Sequence, residues 1–285
     1  MPVKRVVAFR FHRDPLVCRD RISLVRRLNP GVPVHGIFGG PGGSRGAAFR
    51  LFGRRVLGLD ALYISRHSGH WNWKNGDLVL LDWYREIGHR LSFDVLYFLE
   101  WDLLLTESLE RLYATVPRDA VGLTAPTPLS VIGDDWRWTA GHDEAREWRE
   151  LLAFAQARYG CDYGYDVVPH GCLGDGPCFP RAFLDDYAAA DPPAFGNDEL
   201  RYPLFAQLLG YPVADTGFRR AWHCPEDDSY FNNLGEKSIT WETVASELAK
   251  PDGRRVFHPV RAPLRGLTFE PGAGGPRRGA SRRGE

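Results

Sequence analysis

The chain has 285 residues, 44% of them hydrophobic and 13% aromatic, which is enough for one large α/β domain or two small ones. Its 36 basic and 36 acidic side chains cancel, so a broad electrostatic surface for nucleic acid or an anionic membrane is not expected. Five irregularly spaced cysteines argue against a secreted disulfide framework, and no run has the length of a membrane span or the pattern of a signal peptide. We therefore expect a cytoplasmic protein with no nucleic-acid partner and no transmembrane segment.

The first third of the chain alternates apolar and amphipathic runs. VVAF at positions 6–9 and VPVHGIF at positions 32–38 have the composition of buried strands. The residues between them have helical apolar spacing that ends at an Asn-Pro-Gly turn. Strand, helix and strand in this order indicate a right-handed parallel unit, the opening of a doubly wound α/β sheet.

The remaining pattern continues this alternation. Apolar spacing predicts helices over 77–88, 107–116 and 142–160, and strands over 94–99 and 120–126. Residues 161–195 are rich in turn-forming residues and predict an irregular lobe that faces the substrate, followed by a short helix over 203–209. We expect one domain over residues 1–265 and a disordered tail over 266–285.

Two acids stand inside the apolar run FDVLYFLEWDLLL at positions 93–105. In an extended backbone, residues two apart project to the same side, so Glu100 and Asp102 can aim their carboxylates together while Trp101 points away. Adjacent acids near a core stay ionised only beside positive charge, and Mg²⁺ or Mn²⁺ prefers carboxylates together with phosphate oxygens. We interpret the pair as a divalent-metal site. A polar turn that merely ends the strand is the alternative.

The order of these elements, with the acid-x-acid motif, resembles a glycosyltransferase of the GT-A fold. The resemblance implies an α/β fold in which a Rossmann-like, mostly parallel N-terminal sheet is flanked by helices and joined to an irregular acceptor-side lobe. In that family the motif holds a divalent metal that bridges the diphosphate of a nucleotide sugar. Glu100 and Asp102 occupy it as E-W-D in place of the commoner D-x-D, which leaves open which carboxylate touches the metal.

A second stretch, at positions 174–213, resembles the large inverting GT-A families. The resemblance places Asp198 and Glu199 on an acidic pair and implies that one of them is the general base that deprotonates the acceptor hydroxyl. The alternative is a helix N-terminus, for which Asn197 is a suitable cap. Pro203 stands too deep for a helix that begins at Asn197, so we expect the acids in a loop before the helix.

The resemblance also assigns residues to the donor site. His258, in VFHPVRAP, resembles the late histidine that completes the metal shell, with an ordinary polar contact as the alternative. Arg261 is near enough in sequence to neutralise the diphosphate. Arg13 follows the first strand, where the family contacts the nucleotide. Lys74 and Asp77 precede the strand with the acid pair, where they would hold the nucleotide, although a helix cap suits Asp77 equally well.

Aromatic and acidic residues add further candidates. Trp71 and Trp73 lie in the same segment as Lys74 and Asp77 and alternate in a way that suits either packing or stacking on a sugar face. Asp134, Asp135 and Trp136 follow a predicted strand end and are candidates for contact with the acceptor. No motif identifies that acceptor, which can be a saccharide, a lipid-linked sugar or a small natural product.

The leading hypothesis is metal-dependent sugar transfer from a nucleotide-diphosphate sugar, with Mn²⁺ or Mg²⁺ as cofactor and an inverting course if one acid of the second pair is the base. A non-catalytic carbohydrate-binding or scaffold protein on the same fold is an alternative. A sugar nucleotidylyltransferase is a weaker one, because RFHRDP after the first strand has no glycine. The sequence also lacks a P-loop, a G-x-S-x-G motif and a paired C-x-x-C zinc pattern.

Overall fold

The structure is a computed structural model that describes residues 3–40, 53–67, 69–161, 166–232 and 237–263, and the backbone of residues 267–268 and 277–278. The strands are β1 (Arg5–Phe11), β2 (Val34–Phe38), β3 (Ala61–Ile64), β4 (Val95–Glu100), β5 (Leu104–Leu105), β6 (Val121–Pro128), β7 (His170–Pro180), β8 (Val213–Asp215), β9 (Val256–Phe257), β10 (Leu267–Thr268) and β11 (Arg277–Arg278). The helices are α1 (Pro15–Leu28), α2 (Arg54–Leu57), α3 (His70–Lys74), α4 (Gly76–Glu86), α5 (Leu109–Leu112), α6 (Leu129–Ile132), α7 (Arg137–Ala140), α8 (His142–Tyr159), α9 (Arg181–Ala190), α10 (Asp198–Leu208) and α11 (Trp241–Leu248). Short 3-10 helices span Gly88–Arg90 and Pro225–Ser229.

A seven-stranded sheet in the order β3-β2-β1-β4-β7-β6-β8 organises the domain. Strands β3, β2, β1 and β4 are mutually parallel, whereas β7 runs antiparallel to both β4 and β6, and β8 is parallel to β6. The predicted α/β fold, with a mostly parallel sheet flanked by helices, is confirmed. The predicted helix over 107–116 is shorter than expected and is confined to α5.

The core lies on both faces of the sheet, because successive residues of a strand point to opposite sides. On β1, Val6 and Ala8 face α4, α9 and α10, while Val7 and Phe9 face α1 and α5. All four are buried. The carboxyl ends of β1 and β4 therefore emerge side by side at one edge of a fully covered sheet, where open α/β folds bind their ligands.

The prediction of an irregular lobe over 161–195 is wrong for most of its length, because β7 and α9 occupy it. HGCLGDGPCFP contains three glycines and two prolines, which have low strand propensity and read as turns. Pairing with β4 on one side and with β6 on the other overrides that propensity, although the β6 pairing has two register shifts. Residues 162–165 lie outside the described part of the chain.

The prediction that Asp198 and Glu199 lie in a loop before the helix is also wrong, since α10 begins at Asp198 and contains Pro203. Asn197 caps the helix by accepting a hydrogen bond from the Leu200 amide at 3.3 Å. A proline cannot donate to the carbonyl four residues earlier, here that of Glu199. The Cys172 thiol donates to that carbonyl instead, at 3.4 Å, so the buried helix tolerates the proline.

A small pair of strands brings the C-terminal segment to the site. Strand β9 pairs antiparallel with β5, and the Val260 amide donates to the Asp102 carbonyl at 2.7 Å. Apart from β10 and β11, which pair with each other, the expected tail over 266–285 lies outside the described residues, as does most of the glycine-rich sequence GGPGGSRG at positions 39–46. Within the described residues, no helix combines the length and apolar character needed to cross a membrane.

Candidate active site

The first acid pair lies where β4 ends beside β1. Arg10 and Glu100 are register partners on these parallel strands. The backbone turns directly afterwards, with the Leu103 amide donating to the Glu100 carbonyl at 3.1 Å. The extended geometry expected through Asp102 is therefore wrong, and the two carboxylates face different partners.

The partner of Glu100 is a guanidinium. Arg10 Nε lies 2.6 Å from Glu100 Oε1, and both side chains are almost fully buried. Arg10 also donates to the Asn72 carbonyl at 3.0 Å and lies 3.9 Å from Asp198 Oδ2. Burial raises the pKa of Glu100 to about 7, against the attraction of Arg10, which opposes that rise. The structure thus supplies Glu100 with a protein cation where the sequence suggested a metal ion.

Asp102 faces the C-terminal segment. Its Oδ1 lies 3.6 Å from His258 Nε2, and its Oδ2 accepts a hydrogen bond from Arg261 Nε at 3.2 Å. Burial opposes the charge of Asp102, but His258 and Arg261 outweigh that effect and lower its pKa to about 2. A third carboxylate, that of Asp175 on β7, lies 3.1 Å from the same His258 nitrogen.

These neighbours also determine the charge of His258. Burial would lower its pKa, but Asp175 and Asp102 raise it to about 9. Its Nδ1 lies 3.0 Å from the Asn232 carbonyl, which fixes the ring orientation. The imidazole therefore carries a positive charge between two carboxylates, as long as no metal ion takes the place of its proton.

The residues around Asp102 fit a divalent ion whose coordination shell is completed by water and by phosphate oxygens of a substrate. Within the described residues, no group of three or more His, Cys, Asp and Glu side chains has the arrangement of a metal cage. Mg²⁺, however, commonly takes one or two protein ligands and completes its shell with water and phosphate oxygens. Asp102, ionised at neutral pH, and His258 are the two ligands of the predicted types that the structure brings together. Glu100 is committed to Arg10.

The second acid pair lies in the first turn of α10. Asp198 is buried, and its Oδ2 accepts a hydrogen bond from the Gly76 amide at 3.1 Å, at the N-terminus of α4. A Cβ atom at Gly76 would overlap both Arg10 and this carboxylate, so only glycine fits here. Burial nevertheless raises the pKa of Asp198 well above its ordinary value.

Glu199 is less buried than Asp198 and is held by neutral donors. It accepts hydrogen bonds from the Gly174 amide at 3.0 Å, from Trp138 Nε1 at 2.8 Å and from Asn197 Nδ2 at 3.2 Å. Burial and the nearby charge of Asp175 raise its pKa to about 7, although these three donors act in the opposite direction. A carboxyl group with that pKa can accept a proton at neutral pH.

Two of the four residues assigned to the nucleotide lie at the acid turn. Arg13 places its guanidinium 4.8 Å from the ring of Trp101, and about half of its side chain is exposed. Arg261 contacts Asp102 and is about one-third exposed. Both guanidinium groups are therefore at least partly open to solvent beside the acid turn.

The other two residues have structural partners elsewhere. The Lys74 ammonium contacts Glu147 on α8. Asp77 is fully buried, with Arg201 donating to both of its oxygens at 2.6 and 2.7 Å and the Tyr187 hydroxyl donating at 2.6 Å. Contact between Asp77 and a nucleotide would require this buried ion pair to open, so the structure favours a structural role for it.

The residues predicted to contact the acceptor do not contact the second acid pair. Asp134 and Asp135 are exposed before α7, and Trp136 packs edge-on against Trp222 with ring centroids 4.9 Å apart. The residue of this segment that contacts the second acid pair is Trp138.

Sequence reasoning did not single out Arg10, Asp175 or Trp138 for the site. The available signals were a charged residue at the end of an apolar strand and an acid between two glycines.

No protein-family model matches the chain, and no curated protein matches it. Among solved structures it is similar to core-mannan synthase A from Aspergillus fumigatus in a Mn/GDP form, with 10% identity over 75% of this chain and 73% of that one and a TM-score of 0.42. It is similar to the bifunctional glycosyltransferase WbbM, with 11% identity over 90% of this chain but only 46% of that one and a TM-score of 0.45. It is also similar to the galactosyltransferase LgtC in complex with donor and acceptor sugar analogues, with 12% identity over 74% and 72% of the two chains and a TM-score of 0.35.

Proposed function

We propose that this protein is a glycosyltransferase that moves a sugar from a nucleotide-diphosphate sugar to an acceptor hydroxyl, with inversion at the anomeric carbon. The observation that carries the proposal is the row of groups at the carboxyl edge of the parallel strands. Asp102, with His258 and Arg261, forms one end of that row, and Glu199 forms the other. Asp175 interacts electrostatically with both ends.

The donor end is suited to a diphosphate. Arg13, half exposed, and Arg261, about one-third exposed, carry guanidinium groups that would pair with phosphate oxygens in charge-assisted hydrogen bonds. Asp102 and His258 would be the protein ligands of Mn²⁺ or Mg²⁺. Such an ion, when bound, neutralises the negative charge that develops on the leaving diphosphate. Arg10 and Glu100 hold the start of the turn through their buried ion pair.

Glu199 acts at the acceptor end. Its carboxylate takes the proton of the acceptor hydroxyl as the hydroxyl oxygen bonds to the anomeric carbon. The bond from that carbon to the diphosphate oxygen breaks in the same step, and its electron pair leaves with the diphosphate. The Trp138 and Gly174 donors hold the carboxylate in place for this transfer. Asp198, with its oxygens bonded to backbone amides, positions the helix.

The proposal is tested by incubating the purified protein with a panel of nucleotide sugars, with MnCl₂ or with EDTA. We expect release of the nucleoside diphosphate from one donor, and loss of that release in Asp102→Ala. Asp191→Asn, which removes an exposed carboxylate on the surface, is the matched control and should behave like the wild type. Binding of a nucleotide without any turnover would favour the non-catalytic alternative. Absence of binding to every donor would refute the proposal.

A further inference from the structure

Trp73 differs from the other tryptophans in its exposure. The chain has nine tryptophans, all among the described residues, and Trp73, with half of its surface open to solvent, is the most exposed of them. Trp71, two residues earlier, packs against the core and stacks on His67 with ring centroids 3.6 Å apart. The alternation seen in the sequence therefore directs one indole inward and the other outward.

The outward indole is held in place by its neighbours. The ring of Trp138 lies 5.5 Å from that of Trp73, the ring of His70 lies 5.1 Å away, and the Arg137 guanidinium lies 5.6 Å from the indole. Arg137 is fixed in turn by an ion pair with Glu144 at 3.3 Å. A rigid aromatic side chain loses little conformational freedom when a ligand covers it, so this arrangement favours binding.

The held indole lies next to the proposed base. Trp138 contacts the Trp73 ring and donates its indole N–H to Glu199 at 2.8 Å. One side chain therefore separates Trp73 from the carboxylate that would deprotonate the acceptor. The phosphate-binding groups Arg13 and Arg261 belong to the other end of the site, around Asp102.

We infer that Trp73 is a platform for a pyranose ring of the acceptor, so that the acceptor is a saccharide, either free or at the end of a lipid carrier. A pyranose has a face of C–H groups that packs on an indole. Arg137, beside the Trp73 ring, is a donor for its hydroxyls, and Glu199 lies beyond Trp138. The inference rests on the proposed function, because it takes Glu199 as the base.

The test uses saturation-transfer NMR with the methyl and octyl pyranosides of glucose, galactose and mannose, in the presence of MnCl₂ and UDP or GDP. We expect saturation of ring C–H protons in the wild type and in Trp73→Phe. In Trp73→Ala the glycoside affinity should fall about tenfold or more, as when an aromatic anchor is truncated. Tyr211→Ala, which removes a partly exposed aromatic side chain that packs on Phe183, is the matched control. Nucleotide affinity should be equal in all variants.

The outcomes separate this inference from the proposed function. A wild type that binds no nucleotide overturns the proposed function. A wild type that binds a nucleotide but no glycoside, or a Trp73→Ala variant that binds glycosides as well as the wild type, overturns the platform. A Trp73→Ala variant that loses nucleotide affinity instead assigns the indole to the donor and likewise overturns it. Binding of both glycosides with a higher affinity for the octyl form supports the platform and identifies a lipid-linked acceptor, whereas binding of the octyl form alone assigns the affinity to the alkyl chain and overturns the platform.

Discussion

Two acid pairs lie at the site, one at the end of β4 and one at the start of α10. In each pair one acid faces Arg10, and the other, Asp102 or Glu199, is held by different donors. Asp102 faces an imidazolium and a guanidinium, and its pKa falls to about 2. Glu199 faces an indole, an amide side chain and a backbone amide, and its pKa rises to about 7. At Asp102 two cationic partners outweigh the effect of burial, whereas at Glu199 the neutral donors do not, so only the Glu199 carboxyl group can exchange a proton near neutral pH.

The inner members of the two pairs meet at one cation. Arg10 lies 2.6 Å from Glu100 and 3.9 Å from Asp198, so a single guanidinium serves both. Sequence neighbours in each pair therefore have separate partners. The inner acids, Glu100 and Asp198, share Arg10, and we propose that the outer acids, Asp102 and Glu199, supply a fixed charge and a proton acceptor.

The largest effect expected from this division concerns Glu199→Gln. The amide keeps the shape of the side chain but cannot take a proton, so we expect kcat for sugar transfer to fall by about 10²–10⁴-fold. Steady-state kinetics with the cognate donor and acceptor measures it. Glu150→Gln, an exposed residue of α8, is the control. A kcat within a few-fold of the wild type would show that another group is the base.

The next effect concerns the shared cation. Arg10→Met leaves Glu100 buried without its cation, so the free energy of unfolding should fall by about 3–5 kcal/mol in urea titrations. The double variant Arg10→Met/Glu100→Gln removes the orphaned charge and should recover much of that loss. Arg26→Met breaks the more exposed pair with Asp60 and should cost about 1 kcal/mol or less. Equal losses in the single and double variants would break the assignment of Arg10 as the anchor.

The sequence predicted the parts of this site that depend on strand order and on the resemblance. Asp102, His258, Asp198 and Glu199 were all singled out, and the structure brings them to one edge of the sheet. The ionic partners of these acids were harder to predict. Arg10 and Glu100 are far apart in the sequence and meet only because β1 pairs with β4.

Asp77 and Asp175 show why the partners of a buried acid are hard to predict from the sequence. Asp77 looked like a nucleotide contact, but it pairs with Arg201, which lies 124 positions later in the chain. Asp175 was overlooked because its glycine- and proline-rich surroundings resemble a turn, and only pairing between β4 and β6 makes them a strand. Local sequence propensity predicts neither the Asp77–Arg201 ion pair nor the strand that contains Asp175, because both depend on tertiary packing.

A smaller effect should appear in the pH dependence of stability. Because the pKa of His258 is raised to about 9, from 6.5, its protonated form stabilises the fold. That contribution is complete below about pH 6.5 and is lost as the pH rises through about 9. It should amount to a few kcal/mol, at about 1.4 kcal/mol per unit of pKa.

Urea titrations in EDTA across this pH range provide the measurement. His258→Gln should flatten the alkaline loss of stability, whereas His142→Gln, at an almost fully exposed position, should leave it unchanged. The same alkaline loss in His258→Gln and in the wild type would mean that the charge between Asp102 and Asp175 is not what stabilises this end of the site.

The smallest expected effect concerns the pH dependence of kcat when the indole donor to Glu199 is removed. Trp138→Phe removes the indole donor to Glu199, and a hydrogen bond to a carboxylate favours its charged form. The pKa of Glu199 should therefore rise above about 7, and the acidic limb of the kcat profile should move to higher pH by up to about one unit. Trp136→Phe, which leaves that hydrogen bond intact, should not shift the limb. An unshifted limb in Trp138→Phe would mean that the proton acceptor is a group other than Glu199, because no other contact of this indole reaches a titrating carboxylate in the described site.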